Sequence, residues 1–358
     1  MRITIRHIAT ELGVSSATVS RVLNGQGHDF IGAETRRKVL EAARELGYRP
    51  NAAARSLVTG RTNVAALWLH NGYGFSAFVG QVVHSMMAQV QETSTELLVA
   101  YIDQPDRPGS NVLPSGHWPV DGIVAHEAPH YVGAHLASGR ERGCPIVGMG
   151  CWYHREADYV AVDLTAGVRD AIVHLLETST DGVAYLVNPL SNTPGEPRYD
   201  TYHRVMDDAG VEPQTIICDR QSRASARAAI RDRCAAGRMP SALFCHNDDL
   251  ALGAYRSLVE LGIRVPEDVA IVGCDGIEGT EYTSCSLSTI VQPVDEMCRL
   301  AWQTLQARLD TPDAPRQETV LEARLCIRES SRSTGAYATA VGSEDRTSRS
   351  SEARALCL

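Results

Sequence analysis

Residues Ile5 to Gly25, IRHIATELGVSSATVSRVLNG, read as two short helices joined by a tight turn. Ile5, Ile8 and Leu12 recur at i, i+3 and i+7, which is one face of a helix. Gly13 ends that helix, because glycine accepts a positive φ without steric cost. Ser15 is a natural N-cap for the next helix. Val19, Val22 and Leu23 give the second helix a buried stripe, and its other face carries Ser16, Ala17, Thr18, Ser20 and Arg21. A face of small and hydroxylated side chains with one guanidinium can lie against base edges and phosphates without steric conflict. Two helices about a glycine-containing turn form a helix-turn-helix, whose second helix enters the DNA major groove. An ordinary helical hairpin packed on a core has the same outline, so the neighbouring residues have to decide.

Ala33 to Leu46 predicts a third amphipathic helix, followed by Gly47-Tyr48-Arg49-Pro50-Asn51 and the alanine-rich run Ala52 to Val58. Four motifs fall in order: Thr18 to Gly25 (TVSRVLNG), Thr35 to Val39 (TRRKV), Leu46 to Asn51 (LGYRPN) and Ala54 to Leu57 (ARSL). In these the chain resembles the LacI/GalR family of bacterial transcription regulators. The resemblance implies a cytoplasmic DNA-binding regulator, most often a repressor, that acts as a homodimer on a palindromic operator. It assigns DNA contacts to Thr4, Ser15, Ser16, Ala17, Thr18, Ser20, Arg21 and Asn24. It also makes Asn51 to Gly60 a hinge helix that folds on DNA, where Asn51, Ala54 and Leu57 meet the minor groove and Leu57 wedges between base pairs. Two departures stand in this region: the loop Gln26 to Gly32 is about two residues longer than usual, and Gly32 replaces a capping serine.

The charge distribution suits such a head. Net charge is −9 for the 358 residues, yet residues 1–61 hold ten Lys and Arg against five Asp and Glu, or +5, leaving 24 against 38, or −14, for the rest. A basic head on an acidic body is expected when only the head meets phosphate. The ten cysteines show no C-x-x-C spacing, which predicts reduced thiols. Met1 to Thr10 lacks the apolar run of a signal peptide, and no stretch of about 18 apolar residues predicts a membrane span.

Beyond Thr59-Gly60-Arg61-Thr62, apolar strands alternate with amphipathic helices. Strands are expected at 64–69, 97–102, 120–126, 144–150, 159–163, 183–187, 215–218, 241–245 and 269–273, with a Pro/Gly-rich loop from Asp103 to Pro119. This alternation predicts parallel sheets covered on both faces. The domain reading is a helix-turn-helix domain at 1–50, a hinge at 51–61, an α/β body at 62–330 and a disordered tail at 331–358.

The body extends the resemblance from about Thr62 to Ser330, most strongly at residues 243–254, LFCHNDDLALGA, at 261–275, LGIRVPEDVAIVGCD, and at 288–293, STIVQP. It implies two doubly wound subdomains like the type I periplasmic binding proteins, with a small-molecule cleft between them. Subdomain one would take about 62–162 and 291–319, and subdomain two 163–290 and 320–330. The effector residues that follow are Phe75, Ser76, Asp163, Arg198, Asn247, Asp275 and Gln292, with Arg198 as a bidentate clamp. Asn247 and Asp275 lie just past strand C-termini, where open α/β sheets bind ligands. Each also has a local reading: Asp275-Gly276 is a good turn and Asn247 a good N-cap. The loop HNGYGFS (70–76) lacks the usual Asn-Pro-Phe, Ser179 to Gly182 replaces a frequent Gly-His-Arg, and Gly276 stands where a second Asp is usual.

Enzyme readings are weaker. His126-Glu127-Ala128-Pro129-His130 matches HExxH, but that zinc chemistry needs both histidines on one helical face, and Pro129 breaks a helix interior. Cys245-His246 are adjacent and point to different sides of a strand end, so they do not form a nucleophile–base pair. No nucleotide-binding glycine motif is present, and no cofactor or metal is expected. The competing class is a small-molecule-binding or enzymatic α/β body whose head no longer binds DNA.

Overall fold

The computed structural model describes residues 3–25, 30–48, 56, 60–70, 76–102, 119–139 and 143–332. The chain forms two units, Met1–Thr62 and Asn63–Leu358.

The first unit holds α1 (Ile5–Leu12), α2 (Ser16–Leu23) and α3 (Ala33–Glu45). Gly13 takes φ 64°, the left-handed conformation that lets the chain turn out of α1. Ser15 Oγ then accepts from Thr18 N at 3.0 Å and caps α2. Gly32 gives α3 no side-chain cap, and Glu34 in its first turn supplies the negative charge that favours a helix start. Ile8, Val19 and Val39, one from each helix, are fully buried against one another with Ala9, Val22, Ala42 and Ala43. Burying one aliphatic side chain from each helix contributes about 1.5–3 kcal/mol apiece, so three short helices hold together that would not persist alone.

The second unit contains two six-stranded sheets. Its elements are β1 (Val64–His70), α4 (Ala77–Gln91), β2 (Glu96–Ile102), β3 (Gly122–His126), α5 (Pro129–Ala137), β4 (Ile146–Gly150), β5 (Asp158–Asp163) and α6 (Thr165–Thr178). Then come β6 (Val183–Val187), α7 (Pro197–Asp208), β7 (Gln214–Ile217), α8 (Arg223–Ala235), β8 (Ala242–Cys245), α9 (Asp248–Glu260), β9 (Ala270–Asp275), β10 (Ser288–Val291), α10 (Val294–Asp310), β11 (Glu318–Glu322) and β12 (Arg324–Cys326). Sheet one has the order β11-β5-β4-β3-β1-β2, and sheet two the order β12-β10-β9-β8-β6-β7. Every pairing is parallel except β10 with the short β12. β3, β4, β6 and β8 are buried along their whole length, which is why their sequences are unbroken apolar runs.

The chain moves to sheet two after β5, returns to sheet one after β10, and moves again after β11. The last step corrects the expected boundary. Val320, Leu321 and Glu322 pair with Ala161, Val162 and Asp163 in sheet one, so the passage falls at Ala323 rather than at 319–320. The region 294–326, for which the sequence pattern predicted no elements, supplies one helix and both of these strands. Gly167 packs α6 against this passage. A Cβ there would stand 2.7 Å from Ile290 Cγ2 and 2.9 Å from Ala323 O, so only glycine fits.

The expected disordered tail does not start at Ser331. Ser331 belongs to a 3-10 turn, Glu329–Ser331, and is buried, with its carbonyl and hydroxyl 2.9 Å from His174 Nε2. Residues 333–358 lie outside the described residues.

Candidate functional site

In the first unit, α2 presents the face the sequence predicted. Ser15, Ser16, Ala17, Arg21 and Asn24 are exposed, and Thr18 and Ser20 are half-buried above Val19 and Val22. Thr4 is exposed at the start of α1, where its backbone N–H donates to His7 Nδ1 at 3.0 Å. Asn51, Ala54 and Leu57, the hinge residues, lie outside the described residues.

In the second unit a cavity opens at the strand C-termini between the two sheets. Its lining includes Ser76, Phe78, His126, Glu127 and Trp152 from the sheet-one side, and Arg198, Gln221, His246, Asn247 and Asp275 from the sheet-two side, with Gln292 at the crossover. Five of the seven expected effector residues therefore meet here: Ser76, Arg198, Asn247, Asp275 and Gln292. Phe75 lies outside the described residues. Asp163 is the correction. It is exposed, and its Oδ1 accepts from Thr165 N at 2.8 Å, so its carboxylate serves the start of α6 instead of the cavity.

The sheet-two side is a closed set of polar contacts. Pro197 opens α7, and the N-cap Glu196 accepts from Tyr199 N at 2.8 Å through one oxygen and from Arg198 Nη1 at 2.9 Å through the other. Arg198 Nη2 stands 3.6 Å from Asp275 Oδ1, and that oxygen also accepts from Gln292 Nε2 at 3.0 Å. Asp275 ends β9 with φ 129°, a conformation rarely adopted by a side-chain-bearing residue, and Gly276 follows at φ 77°. The buried Asp248 holds this turn. Its carboxylate accepts from Gly276 N at 2.8 Å, Ile277 N at 2.9 Å and Thr289 Oγ1 at 2.7 Å. Burial pushes Asp248 up to about 6 and Asp275 well above the ordinary carboxylate range, in the latter case despite the opposing charge of Arg198. Asn247 fills both of its readings: Oδ1 caps α9 by accepting from Leu250 N at 2.9 Å, while Nδ2 reaches Gln221 Oε1 at 3.4 Å. His246 is held neutral by burial, with Nδ1 2.7 Å from the Tyr185 hydroxyl.

The sheet-one side is different. Ser76 Oγ accepts from Val79 N at 3.2 Å and caps α4. Glu127, with φ 54°, uses Oε1 to accept from Cys151 N at 2.6 Å. Its Oε2 has no hydrogen-bond partner among the described residues, and neither has Nε2 of the buried His126. Burial raises Glu127 to about 7 and lowers His126 to about 4.

Glu127, His126, Trp152, Phe78, Gln221, His246 and Glu196 were not among the expected effector residues. The only sequence signal for His126 and Glu127 was HExxH, which pointed to the wrong chemistry. His126 ends β3, Glu127 follows it, and Pro129 is the first residue of α5, so the two histidines share no helix face. Among the described residues no three His, Cys, Asp or Glu side chains are grouped to hold a metal ion. No helix of the described residues is long and apolar enough to cross a membrane.

Comparison with known proteins agrees with both units. Residues 4–51 match the family described as bacterial regulatory proteins, lacI family, and residues 172–331 match the periplasmic binding protein-like domain. The HTH-type transcriptional regulator CelR of Thermobifida fusca is 30% identical over 92% of this chain and 98% of its own. The ribose operon repressor of Haemophilus influenzae is 28% identical over 91% of this chain and 98% of its own. Among solved structures, the lac repressor dimer bound to operator and the anti-inducer ONPF superposes with TM-score 0.78 at 23% identity, covering 93% of this chain and all of that one, and so shares the fold. A CelR–cellobiose complex gives TM-score 0.62 at 28% identity, covering 92% of this chain and all of that one.

Proposed function

The chain belongs to the lacI family of bacterial regulatory proteins, as a DNA-binding transcription regulator rather than an enzyme, and from that premise we propose a repressor whose operator affinity is set by a sugar-like molecule in the cleft. It acts in the cytoplasm as a homodimer, because one recognition helix covers one half-site and a two-fold protein pairs with a palindromic operator. Ser16 and Ala17 face the bases, Ser15, Thr18, Ser20 and Arg21 hold phosphates or base edges, and Thr4 and Asn24 add DNA contacts. Asn51, Ala54 and Leu57 engage the minor groove when the hinge folds on DNA.

The observation that carries the effector half of this reading is a chain of polar contacts joining the two sheets. Glu127 binds Cys151 N, Cys151 Sγ lies 3.7 Å from Gln292 Oε1, and Gln292 Nε2 binds Asp275 beside Arg198. A molecule seated among these groups favours one relative setting of the sheets. It thereby changes the separation of the two hinge starts in a dimer, without touching DNA. Sugar hydroxyls suit the bidentate donors of Arg198 and the amides of Asn247 and Gln292. The test measures affinity for the protein's own upstream DNA at one physiological salt concentration, with and without sugars. Arg21→Ala should lose about 1–3 kcal/mol of operator binding. Arg198→Ala should keep sugar-free operator binding and lose the sugar response. Operator affinity unchanged in Arg21→Ala would refute the recognition-helix assignment.

A further inference from the structure

We propose that the small molecule held in this cleft carries a protonated amine, docked against Glu127 and His126 on the sheet-one side. This rests on the reading of the cleft as the effector site and names the chemistry of its ligand.

The charges around the cavity are unequal. Among the described residues three carboxyl groups, Glu127 and Asp275 in the lining and Glu196 beside it, meet one guanidinium, Arg198. Arg198 is already engaged, by Glu196 at 2.9 Å and by Asp275 at 3.6 Å. Among the described residues Glu127 forms no ion pair and only its Oε1 is hydrogen-bonded, to Cys151 N, with Arg198 acting on it from a greater distance. A ligand carboxylate or phosphate would add a further anionic group to a desolvated site already rich in carboxyl groups, which is unfavourable.

The unpartnered atoms point the same way. His126 is 3% exposed, lines the cavity, and leaves Nε2 with no partner among the described residues. Burial keeps this ring neutral at physiological pH, so its Nε2 is free to accept when Nδ1 carries the proton. Glu127 Oε2 is an acceptor on the next residue. An ammonium group offers three donors and no acceptor, which suits a cavity lined by two acceptors without donors, and it adds positive charge beside Glu127. Trp152 and Phe78 line the same side, and aromatic faces attract cations further. A neutral hydroxyl donates to one of the two atoms and adds no positive charge beside Glu127.

The full-length protein is titrated by calorimetry at one pH with glucosamine, mannosamine and galactosamine, their neutral parent hexoses, N-acetylglucosamine, and glucuronate and galacturonate. The expected result is an amine that binds at least about tenfold more tightly than its neutral parent, with the uronates weakest. In Glu127→Gln that ratio should fall to about one. Should the variant fail to fold, the ranking in the unaltered protein still decides. Neutral hexoses binding as well as the amines, or a uronate binding best, overturns the amine assignment but leaves the sugar-like effector standing. Survival of the amine preference in Glu127→Gln overturns the placement at Glu127. No binding by any sugar of any charge overturns both readings.

Discussion

The two sides of the cleft are built on opposite plans. On the sheet-two side Glu196, Arg198, Asp275 and Gln292 satisfy one another, and Asp248 fixes the strained turn that carries Asp275. On the sheet-one side Glu127 Oε2 and His126 Nε2 have no hydrogen-bond partner among the described residues. The first arrangement is pre-formed and loses stability when any member is removed. The second keeps its polar capacity for something that arrives, at a cost to the empty protein. Mutations on the two sides should therefore differ in sign as well as size.

The largest effect is expected at Arg198. Arg198→Ala leaves Glu196 and Asp275 buried without their cation, and removing one partner of a buried pair costs about 3–5 kcal/mol. Urea unfolding would show it as a lower midpoint with little change in slope. A loss below about 1 kcal/mol would mean that the sheet-two side is not the closed set it resembles.

Asp248→Ala comes next. It leaves Gly276 N, Ile277 N and Thr289 Oγ1 without their acceptor and frees a turn held at φ 129°, at a cost of about 3 kcal/mol. Ligand affinity should fall as well, although Asp248 does not line the cavity, because Asp275 loses its support. Stability lost with ligand affinity retained would show that Asp275 needs no such support.

On the sheet-one side the sign reverses. Glu127 has a folded value of about 7, raised by burial above the ordinary carboxylate value of about 4.5. Its contribution is therefore fully present below about pH 4.5 and is lost as pH rises through about 7. Glu127→Gln keeps the acceptor for Cys151 N and removes the ionisation. The variant should gain on the unaltered protein by about 2 kcal/mol between pH 5 and pH 8, read from paired thermal melts. His126 runs the other way: its value is lowered to about 4, so its contribution is present above about 6.5 and is lost as pH falls through 4. A gap between Glu127→Gln and the unaltered protein that does not change with pH would remove the ionisation cost from the account.

The smallest expected effects are a matched pair. Ser76 and Asn247 cap the helices that start on either side of the cleft, each accepting one backbone N–H. Replacing either by alanine should cost about 1 kcal/mol, as for other helix caps. Asn247→Ala also loses the weak contact to Gln221, so it should be slightly the worse. Ser76→Ala proving much the more damaging would reverse the comparison between the sides.

The sequence by itself determined what depends on residues a few positions apart. The turn at Gly13, the cap at Ser15, the buried stripe of Val19 and Val22 and the alternation of buried strands with helices all follow from local spacing, and the structure has each of them. Arg198, Asn247 and Asp275 were legible because each ends or begins an element inside a recognisable motif. Only the tertiary structure decided which sheet-one residues face them. His126 and Glu127 reach the cavity because β3 sits inside sheet one with its C-terminal end toward the cleft, and no spacing relates them to Arg198 some seventy residues on. The same limit misplaced Asp163, whose carboxylate found the nearer N–H of Thr165, and Ser331, whose burial depends on His174 and Ser288. Helix caps and strand patterns are set by bonds that close within about four residues. A cleft is set by the order in which strands are laid into two sheets, and that order appears only when the chain is folded.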